Sequence, residues 1–196
     1  MIVLSWNVRG LGSLAKRALI RAVLFDVKPK IAILLETKMQ SFDYSIVCNL
    51  WYDTNPAWAN VDAIGHSGGI IVIWDPTAFD AISVISGQYS IGLQLLDHNL
   101  GTSWALAGIY GPTRYRDRAS FWEEIFQLVQ LWDLPWLLGG DFNATLLCSD
   151  KSPPASRTSS TMRAFSDFIN SLALSEAPLS GKKINLDKLS ESPYFV

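Results

Sequence analysis

The sequence predicts an α/β fold in which helices flank a mixed, meander-rich sheet system. Apolar runs of strand length alternate with helical patterns along the chain, and no internal repeat is present. Between residues 63 and 110, four short segments follow one another between turn residues, which is typical of an antiparallel meander. Because a regular β-α-β series would not contain such a meander, we expect parallel and antiparallel strands together.

The composition indicates one ordered globular domain. The 196 residues suffice for one hydrophobic core, and 49% of them are hydrophobic against 17% charged. Sixteen basic and eighteen acidic residues give a net charge of −2, so bulk positive charge cannot hold the protein to nucleic acid. A nucleic-acid partner would therefore be bound locally, through a metal site and a few basic groups.

The cysteines and the apolar runs predict a soluble intracellular protein. Cys48 and Cys148 lie a hundred residues apart, without zinc-ligand spacing, and are interpreted as reduced thiols. The chain opens directly into an apolar strand pattern without a secretory signal. Its longest apolar runs, such as residues 70–74, are too short to span a bilayer. The pattern does not distinguish nucleus from cytoplasm.

The first elements are a strand, a helix and a second strand. Residues 2–8 form the first strand, and Ser13 is the expected N-cap of a helix that runs to about residue 27, before Pro29. Residues 31–35 are a continuous apolar run, typical of a strand buried on both faces. The residues expected on the inner face of the helix are Leu14, Ala18, Val23 and Phe25.

The meander and the second half of the chain follow. The expected meander strands are residues 69–74, 81–85, 89–96 and 103–110, with a hairpin turn at 97–101. A helix over 117–132 should bury Phe121, Ile125, Val129 and Trp132. Residues 136–138 form a short strand, and a Ser- and Pro-rich loop covers 149–160. The last helix, at 161–172, should bury Phe165, Phe168, Ile169 and Leu172.

Polar residues stand where the buried strands end: Asn7, Glu36, Asp141 and Asn143. A carboxylate beyond an apolar strand is costly unless it is compensated, and a hard divalent cation with oxygen ligands would compensate it. Functional groups of α/β sheets also collect at the carboxyl ends of strands. Each residue alone has a structural interpretation, as a turn residue, a surface acid or a hydrogen-bonded turn.

Five short motifs combine these residues in one order. They are Ser5-Trp6-Asn7-Val8-Arg9-Gly10-Leu11-Gly12, Leu35-Glu36-Thr37-Lys38, Ser67-Gly68-Gly69-Ile70, Ile109-Tyr110-Gly111-Pro112 and Gly139-Gly140-Asp141-Phe142-Asn143. In this order the chain resembles the apurinic-endonuclease-like nucleases of plant non-LTR (LINE-type) retrotransposons, in the endonuclease/exonuclease/phosphatase superfamily. The resemblance implies a four-layered α/β sandwich over residues 1–181, followed by a divergent, poorly ordered tail at 182–196.

The resemblance also implies the chemistry, which is Mg²⁺-dependent cleavage of DNA, with Mn²⁺ as an alternative ion and no organic cofactor. Glu36 would be the metal ligand, and Asn7 would help to hold the metal or its water. Asp141 would orient or activate the attacking water. Asn143 would position the phosphate, and Tyr110 would contact it. These roles match the need to stabilise negative charge on phosphate oxygens.

Arg9 is a weaker candidate that has two interpretations. Its guanidinium would suit an additional contact to a phosphate. The same residue fits equally well as a solvated turn residue after the first strand.

The carboxyl end departs from the family pattern. The family ends with an Asp in a late strand and a Ser-Asp-His, whereas the two histidines here, His66 and His98, are expected in exposed loops. Asp187 is interpreted as a chance acid rather than the late-strand Asp. We therefore expect a chain that is truncated at its C-terminus, with impaired catalysis, since general acid–base groups contribute about 10²–10⁴ in rate.

Two alternative functions stay open. The first is a catalytically dead relic or a weak nucleic-acid-binding module without enzymatic activity, which the absent Ser-Asp-His favours. The second is a phosphatase of the same superfamily that acts on inositol phosphates or sphingomyelin. The residues of the first and last motifs favour a nuclease over this phosphatase.

Overall fold

The structure, a computed structural model, describes residues 1–65, 67–146 and 159–177 and the backbone of residues 194–195. The helices are α1 (Leu14–Val27), α2 (Tyr44–Leu50), α3 (Arg118–Val129) and α4 (Ser160–Ser171), with a 3-10 turn at Tyr115–Asp117. The strands are β1 (Val3–Asn7), β2 (Ile31–Leu35), β3 (Ala57–Val61), β4 (Ile70–Trp74), β5 (Phe79–Ser86), β6 (Ser90–Asp97), β7 (Thr102–Tyr110), β8 (Trp136–Asp141) and β9 (Tyr194–Phe195). Within the described residues, no helix has the length and apolar character needed to cross a membrane.

The strands form two mixed sheets, as the sequence predicts. The first sheet has the order β3-β4-β2-β1-β9 and the second the order β5-β6-β7-β8. β1 pairs with β2 in parallel and β7 pairs with β8 in parallel, whereas the other pairs are antiparallel. The two parallel pairs matter most for function, because both members of such a pair end at the same edge of the sheet.

Three hydrophobic clusters separate four layers. In the first, Ile20 of α1 and Leu50 of α2 belong to the same buried cluster as Leu34 of β2. The second lies between the sheets and joins Ile33 to Leu93. The third packs α3 and α4 against the second sheet. This arrangement of helices, sheet, sheet and helices confirms the predicted α/β sandwich. The boundary expected at residue 181 lies outside the described residues.

Successive residues of β2 face opposite sides of the first sheet. Ala32 and Leu34 face the helical layer, while Ile31, Ile33 and Leu35 face the second sheet. All five residues of β2 are buried, which confirms the prediction that this run is covered on both faces.

Helix α1 has the predicted bounds but a different inner face. The Ser13 hydroxyl accepts a hydrogen bond from the Lys16 amide at 3.2 Å, which confirms the N-cap. The buried residues are Ile20, Val23 and Leu24, whereas Leu14 is 70% and Phe25 is 58% exposed. The prediction for Leu14, Ala18 and Phe25 was therefore wrong. Apolar residues occur on several sides of α1, so the periodic pattern did not identify its buried face.

Strand β9 lies in the segment expected to be a poorly ordered tail and was not predicted. Two further elements were not predicted, helix α2 and strand β3. α2 has only seven residues, and Asp43 caps it by accepting a hydrogen bond from the Ile46 amide at 2.8 Å. β3 is an edge strand whose residues are all half-buried, and it pairs with β4. Both elements are too short or too evenly mixed to give a clear periodic signal.

Helices α3 and α4 agree well with the sequence. α3 ends at Val129 rather than 132, and it buries Phe121 and Ile125 as predicted, together with Leu128. The predicted burial of Val129 and Trp132 was wrong, because both are only half-buried and Trp132 lies beyond the end of the helix. In α4, Phe168 is buried and Phe165, Ile169 and Leu172 pack against the same cluster. Most of the Ser- and Pro-rich loop and Cys148 lie outside the described residues.

Candidate functional site

The ends of β1 and β8 meet at one edge of the sandwich. Asn7 is the last residue of β1, and Asp141 is the last residue of β8. The Asn7 side-chain amide donates a hydrogen bond to Oδ2 of Asp141 at 3.1 Å, although the two residues are 134 positions apart in sequence. The structure therefore brings together two of the residues that the sequence analysis singled out, one from each sheet.

Asn143 is held in the turn that follows Asp141. Its backbone amide donates to Oδ1 of Asp141 at 2.9 Å, and its side-chain amide donates to the Gly111 carbonyl at 2.7 Å. The Gly111 amide in turn donates to the Asp141 carbonyl at 2.7 Å. Both carboxylate oxygens of Asp141 thus accept a hydrogen bond from a fixed donor, which sets the orientation of the carboxylate before any ligand arrives.

Tyr110 lies beside Asp141 in the second sheet. It is the last residue of β7 and is directly opposite Asp141 in the parallel register. Its backbone amide donates to the Tyr89 carbonyl at 2.8 Å, and its half-buried ring packs against the cluster between the sheets. Tyr110 therefore belongs to the same sheet edge as the Asp141 turn.

Glu36 follows β2 and lies next to the turn that follows Asn7. Its carbonyl accepts a hydrogen bond from the Gly10 amide at 2.7 Å, which ties residues 36 and 10 together. Its carboxylate Oε1 is 3.0 Å from Nζ of Lys38, and the Glu36 side chain is 19% exposed. A poorly solvated carboxylate of this kind is suited to bind a cation.

A buried threonine and a glycine fix the position of the chain segment that contains Glu36. Thr37 is fully buried, and the amides of Thr37 and Lys38 donate to the carbonyls of Gly69 and Gly68 at 3.1 and 3.0 Å. A Cβ on Gly69 would overlap the Thr37 hydroxyl, and the φ of Gly69 is +87°. Glycine is therefore required at position 69 of the Ser-Gly-Gly motif, because the residues that precede β4 approach this segment closely.

Three basic side chains lie near one another on the Glu36 side of the site, and two of them, Lys16 and Lys38, were not among the predicted site residues. Burial lowers the pKa of Lys16, Lys38 and Arg9 lower it further by charge repulsion, and Glu36 acts in the opposite direction. These effects place Arg9, Lys38 and Glu36 each within electrostatic reach of Lys16, and Lys38 also pairs with Glu36 at 3.0 Å. The side-chain Oδ1 of Asn7 also accepts a hydrogen bond from the Arg9 amide at 3.2 Å. We call Arg9, Lys16 and Lys38 the basic cluster.

Backbone strain is concentrated at this site. In the described part of the chain, seven non-glycine residues have positive φ angles, and four of them are Arg9, Glu36, Lys38 and Asn143. Such residues cost about 1–3 kcal/mol each and persist where surrounding contacts hold them. The contacts above supply that support, which is typical of a functional site.

His98 lies at the other end of the second sheet. It follows β6, whose last residue Asp97 pairs with Thr102 at the start of β7, whereas Tyr110 ends β7. The His98 Nε2 is 2.9 Å from Oδ2 of Asp80, and this hydrogen bond, with one to the Thr77 carbonyl, raises the pKa of His98. His98 is therefore not part of the site, and His66 lies outside the described residues.

Glu124 of α3 was missed by sequence reasoning although it supports the site. Its carboxylate accepts hydrogen bonds from the Gln88 amide at 3.0 Å, the Tyr89 amide at 2.9 Å and the Ser90 hydroxyl at 2.7 Å. Tyr89 is the residue whose carbonyl holds the Tyr110 amide. In the sequence, Glu124 looks like a solvated acid of an amphipathic helix, since its three partners lie more than thirty residues away.

Replacing Glu124 by Ala should lower the free energy of unfolding by about 2 kcal/mol, because three donors lose one charged acceptor. Urea unfolding followed by circular dichroism measures the change. The neighbouring Glu123 is exposed and bonds only to Gln127 among the described contacts. Glu123→Ala should therefore change stability by less than about 0.5 kcal/mol. Equal unfolding midpoints for the two variants would contradict the anchoring role of Glu124.

The donor set of the site suits a hard divalent cation. From the part of the chain that the structure describes, it contains the carboxylates of Glu36 and Asp141 and the side-chain oxygen of Asn7, with no sulfur or imidazole. Mg²⁺ is usually held by one or two carboxylates, with water and substrate phosphate completing the octahedron. Among the described residues, no group of three or more His, Cys, Asp or Glu side chains forms a closed metal cage. These residues fit an ion that keeps most of its water.

The fold and the site define a class of protein. The fold is a sandwich of two mixed sheets with flanking helices, and Asn7, Glu36 and Asp141 lie at the ends of its strands. The chain matches the Endonuclease/Exonuclease/phosphatase family over residues 4–187 and belongs to that family.

Two solved structures of similar fold come from nucleic-acid enzymes. One is the endonuclease domain of TRAS1, a telomere-specific non-LTR retrotransposon, with a TM-score of 0.63 and 15% identity over 99% of this chain and 82% of that one. The other is the 3′ phosphatase NExo from Neisseria bound to a product DNA hairpin, with a TM-score of 0.65 and 15% identity. That similarity covers 87% of this chain and 70% of NExo.

A relative in sequence is a transposon protein. The uncharacterized 149 kDa protein of transposon TX1 from Xenopus laevis is 32% identical over 100 residues, which are 48% of this chain. The match covers 7% of the transposon protein, so the chain corresponds to a small part of it. The family expected from the sequence motifs is thereby confirmed, and the similar sequence belongs to a transposon protein.

Proposed function

We propose that this protein is a Mg²⁺-dependent phosphodiesterase that cleaves DNA, of the retrotransposon endonuclease type. The observation that carries the proposal is the link between Asn7 and Asp141 at 3.1 Å, beside Glu36 and the basic cluster. It joins an oriented carboxylate and an amide at one sheet edge, and the second carboxylate, that of Glu36, follows the neighbouring strand β2. Cleavage of a phosphodiester by water needs such a set, namely a proton acceptor and groups that stabilise charge on phosphate oxygens.

In this proposal Glu36 and Asn7 would hold Mg²⁺, with Mn²⁺ as a substitute. When bound, the ion would stabilise the negative charge that develops on the phosphate oxygens. Asp141 would orient the attacking water and accept its proton, since its two oxygens keep lone pairs beyond those used by Asn7 and Asn143. Asn143 and Tyr110 would position the phosphate.

The basic cluster would bind the phosphates of the strand. The net charge of the chain is −2, so the affinity for DNA must come from local positive charge. Arg9 is exposed, and Lys16 and Lys38 extend the same positive region around Glu36. Binding through such contacts weakens steeply as salt concentration rises.

The relatives support a nucleic-acid substrate over a small phosphate ester. The proteins named above are an endonuclease domain of a retrotransposon, a 3′ phosphatase bound to a DNA hairpin and a transposon protein. We therefore assign DNA as the substrate class and treat cleavage of small phosphate esters as the alternative chemistry of the same site.

The experiment that tests this function is a supercoiled-plasmid nicking assay in Mg²⁺ and in chelator. We expect nicking in Mg²⁺ that chelator abolishes. Glu36→Gln keeps an oxygen but removes a charge, so it should shift half-maximal activity to higher Mg²⁺ concentration. Asp43→Asn, at the N-cap of α2, is the control acid. Absence of nicking from a folded sample, as judged by circular dichroism, would refute the enzyme proposal.

A weak nucleic-acid-binding module without activity is the second candidate. It is favoured by the position of His98, the one histidine among the described residues, at the far end of the second sheet from Tyr110. That function predicts salt-dependent retention of labelled DNA with no nicking in Mg²⁺. Fluorescence anisotropy on the nicking samples separates the two candidates.

A further inference from the structure

Arg118, the first residue of α3, touches the turn that carries the site. Its Nη2 donates a hydrogen bond to the Asn143 carbonyl at 2.6 Å. Burial lowers the pKa of Arg118, and its Nη1 is buried without a partner among the residues that the structure describes. A guanidinium in such surroundings is costly, so the contact to Asn143 is not a casual surface interaction.

Asn143 lies in the turn that follows Asp141, and three hydrogen bonds hold it there. Its amide bonds to Asp141, its side chain bonds to Gly111, and its carbonyl bonds to Arg118. Its φ of +48° is a conformation that a non-glycine residue adopts only when contacts hold it. Of the three contacts, that of Arg118 comes from a separate helix rather than from a neighbouring strand end.

We propose that Arg118 is a positioning residue that fixes the Asn143 turn, and through it the carboxylate of Asp141. The bond that Asp141 accepts from the Asn143 amide transmits this position, because the amide and the carbonyl of Asn143 lie in successive peptide planes joined at its Cα, and a shift of one plane displaces the Cα that carries the other. The functional part of this inference rests on the proposed cleavage of DNA. The structural part, that Arg118 holds the turn, does not depend on it.

A direct contact with substrate does not explain Arg118. Its Nη1 is buried and its Nη2 is engaged with Asn143, whereas the exposed cations of the site belong to the basic cluster. A group that acts through another residue should affect the rate of the chemical step more than the binding of substrate. This distinction gives the inference a kinetic test.

The experiment compares Arg118→Met and Arg118→Lys with two controls in the full chain. Arg116→Met removes an exposed neighbouring cation that lies 3.5 Å from Asp117. Ile125→Val weakens the buried face of α3 without touching Asn143. For each variant, kcat and KM are measured in Mg²⁺, and the hydrogen exchange of individual amides is measured by NMR without metal.

We expect Arg118→Met to lower kcat by about 10- to 100-fold with KM within about twofold, since displacements near 1 Å can cost a factor of 10². The Asn143 amide should exchange faster while the amides of β2 do not change. Arg118→Lys, which keeps one charged donor, should recover part of both effects. Arg116→Met should leave both readouts unchanged. Ile125→Val should accelerate exchange across α3 with unchanged kcat.

Three results would overturn the inference. They are unchanged Asn143 exchange in both Arg118 variants, acceleration spread evenly over the whole chain, and a rise in KM with unchanged kcat. If Arg118→Met does not fold, the Arg118→Lys variant alone decides by the same criteria. If the wild type does not cleave DNA, the proposed function fails, and the exchange measurements still show whether Arg118 holds the turn.

Discussion

Replacing Asp141 by Asn should lower the rate of DNA cleavage by about 10²–10⁴, the usual contribution of a general acid–base group. The substitution conserves size but removes the proton acceptor. It also disturbs the turn, because both carboxylate oxygens accept from N–H donors, those of Asn143 and Asn7. The amide group of an Asn at 141 would place a donor against one of these donors. We therefore expect a loss in kcat in the nicking assay together with a modest loss of stability.

The exposed Asp26 of α1 provides the matched control for this substitution. Asp26→Asn changes the net charge by the same amount without contacting the sheet edge, so its kcat should equal that of the wild type. The two proteins should have similar circular dichroism spectra. Equal rates for Asp141→Asn and the wild type would remove Asp141 from the mechanism and would refute the proton-acceptor role.

The residues of the site were predictable because they end strands. Asn7, Glu36 and Asp141 each follow an apolar run, and the carboxyl ends of parallel strands meet at one edge. The sequence pattern could not predict which side chains of the two sheets would come into contact. The contact of Asn7 with Asp141 depends on how the sheets pack, and that is determined by the cluster between them.

The supporting residues escaped prediction for a physical reason. Arg118 and Glu124 lie on an amphipathic helix, where charged residues are ordinarily solvated. Their partners are backbone groups at Asn143 and at residues 88–89, far away in sequence. A backbone amide or carbonyl has no sequence signature of its own, so only the folded structure shows that these charges are used.

The fold was predicted best where burial is strong. The five buried residues of β2 and the capped start of α1 gave clear patterns and were confirmed. The inner face of α1, the short α2 and the edge strand β3 were not correctly predicted. In each of these the alternation of apolar and polar residues is weak, and contacts with other layers decide which residues are buried.

Replacing Gly140 by Ala should destabilise the protein by about 3 kcal/mol or more, through backbone strain and overpacking. Gly140 has a φ of +153° and is paired with Ile109 in the parallel register of β7 and β8. A Cβ here would overlap the carbonyl of Ile109, which is backbone and cannot move aside as a side-chain end can. The strands must separate next to Asp141, so activity should fall together with stability.

Substitutions at two other glycines provide controls for this prediction. A Cβ at Gly139 would lie 2.9 Å from Cδ1 of Ile33, a flexible side-chain end, and a Cβ at Gly12 would meet nothing within 4 Å. The loss of stability should therefore decrease in the order Gly140→Ala, Gly139→Ala, Gly12→Ala, and the last should be within about 0.5 kcal/mol of the wild type. Urea unfolding of the three variants measures the order. If Gly140→Ala were as stable as Gly12→Ala, the close approach of β8 to β7 would not be what requires glycine before Asp141.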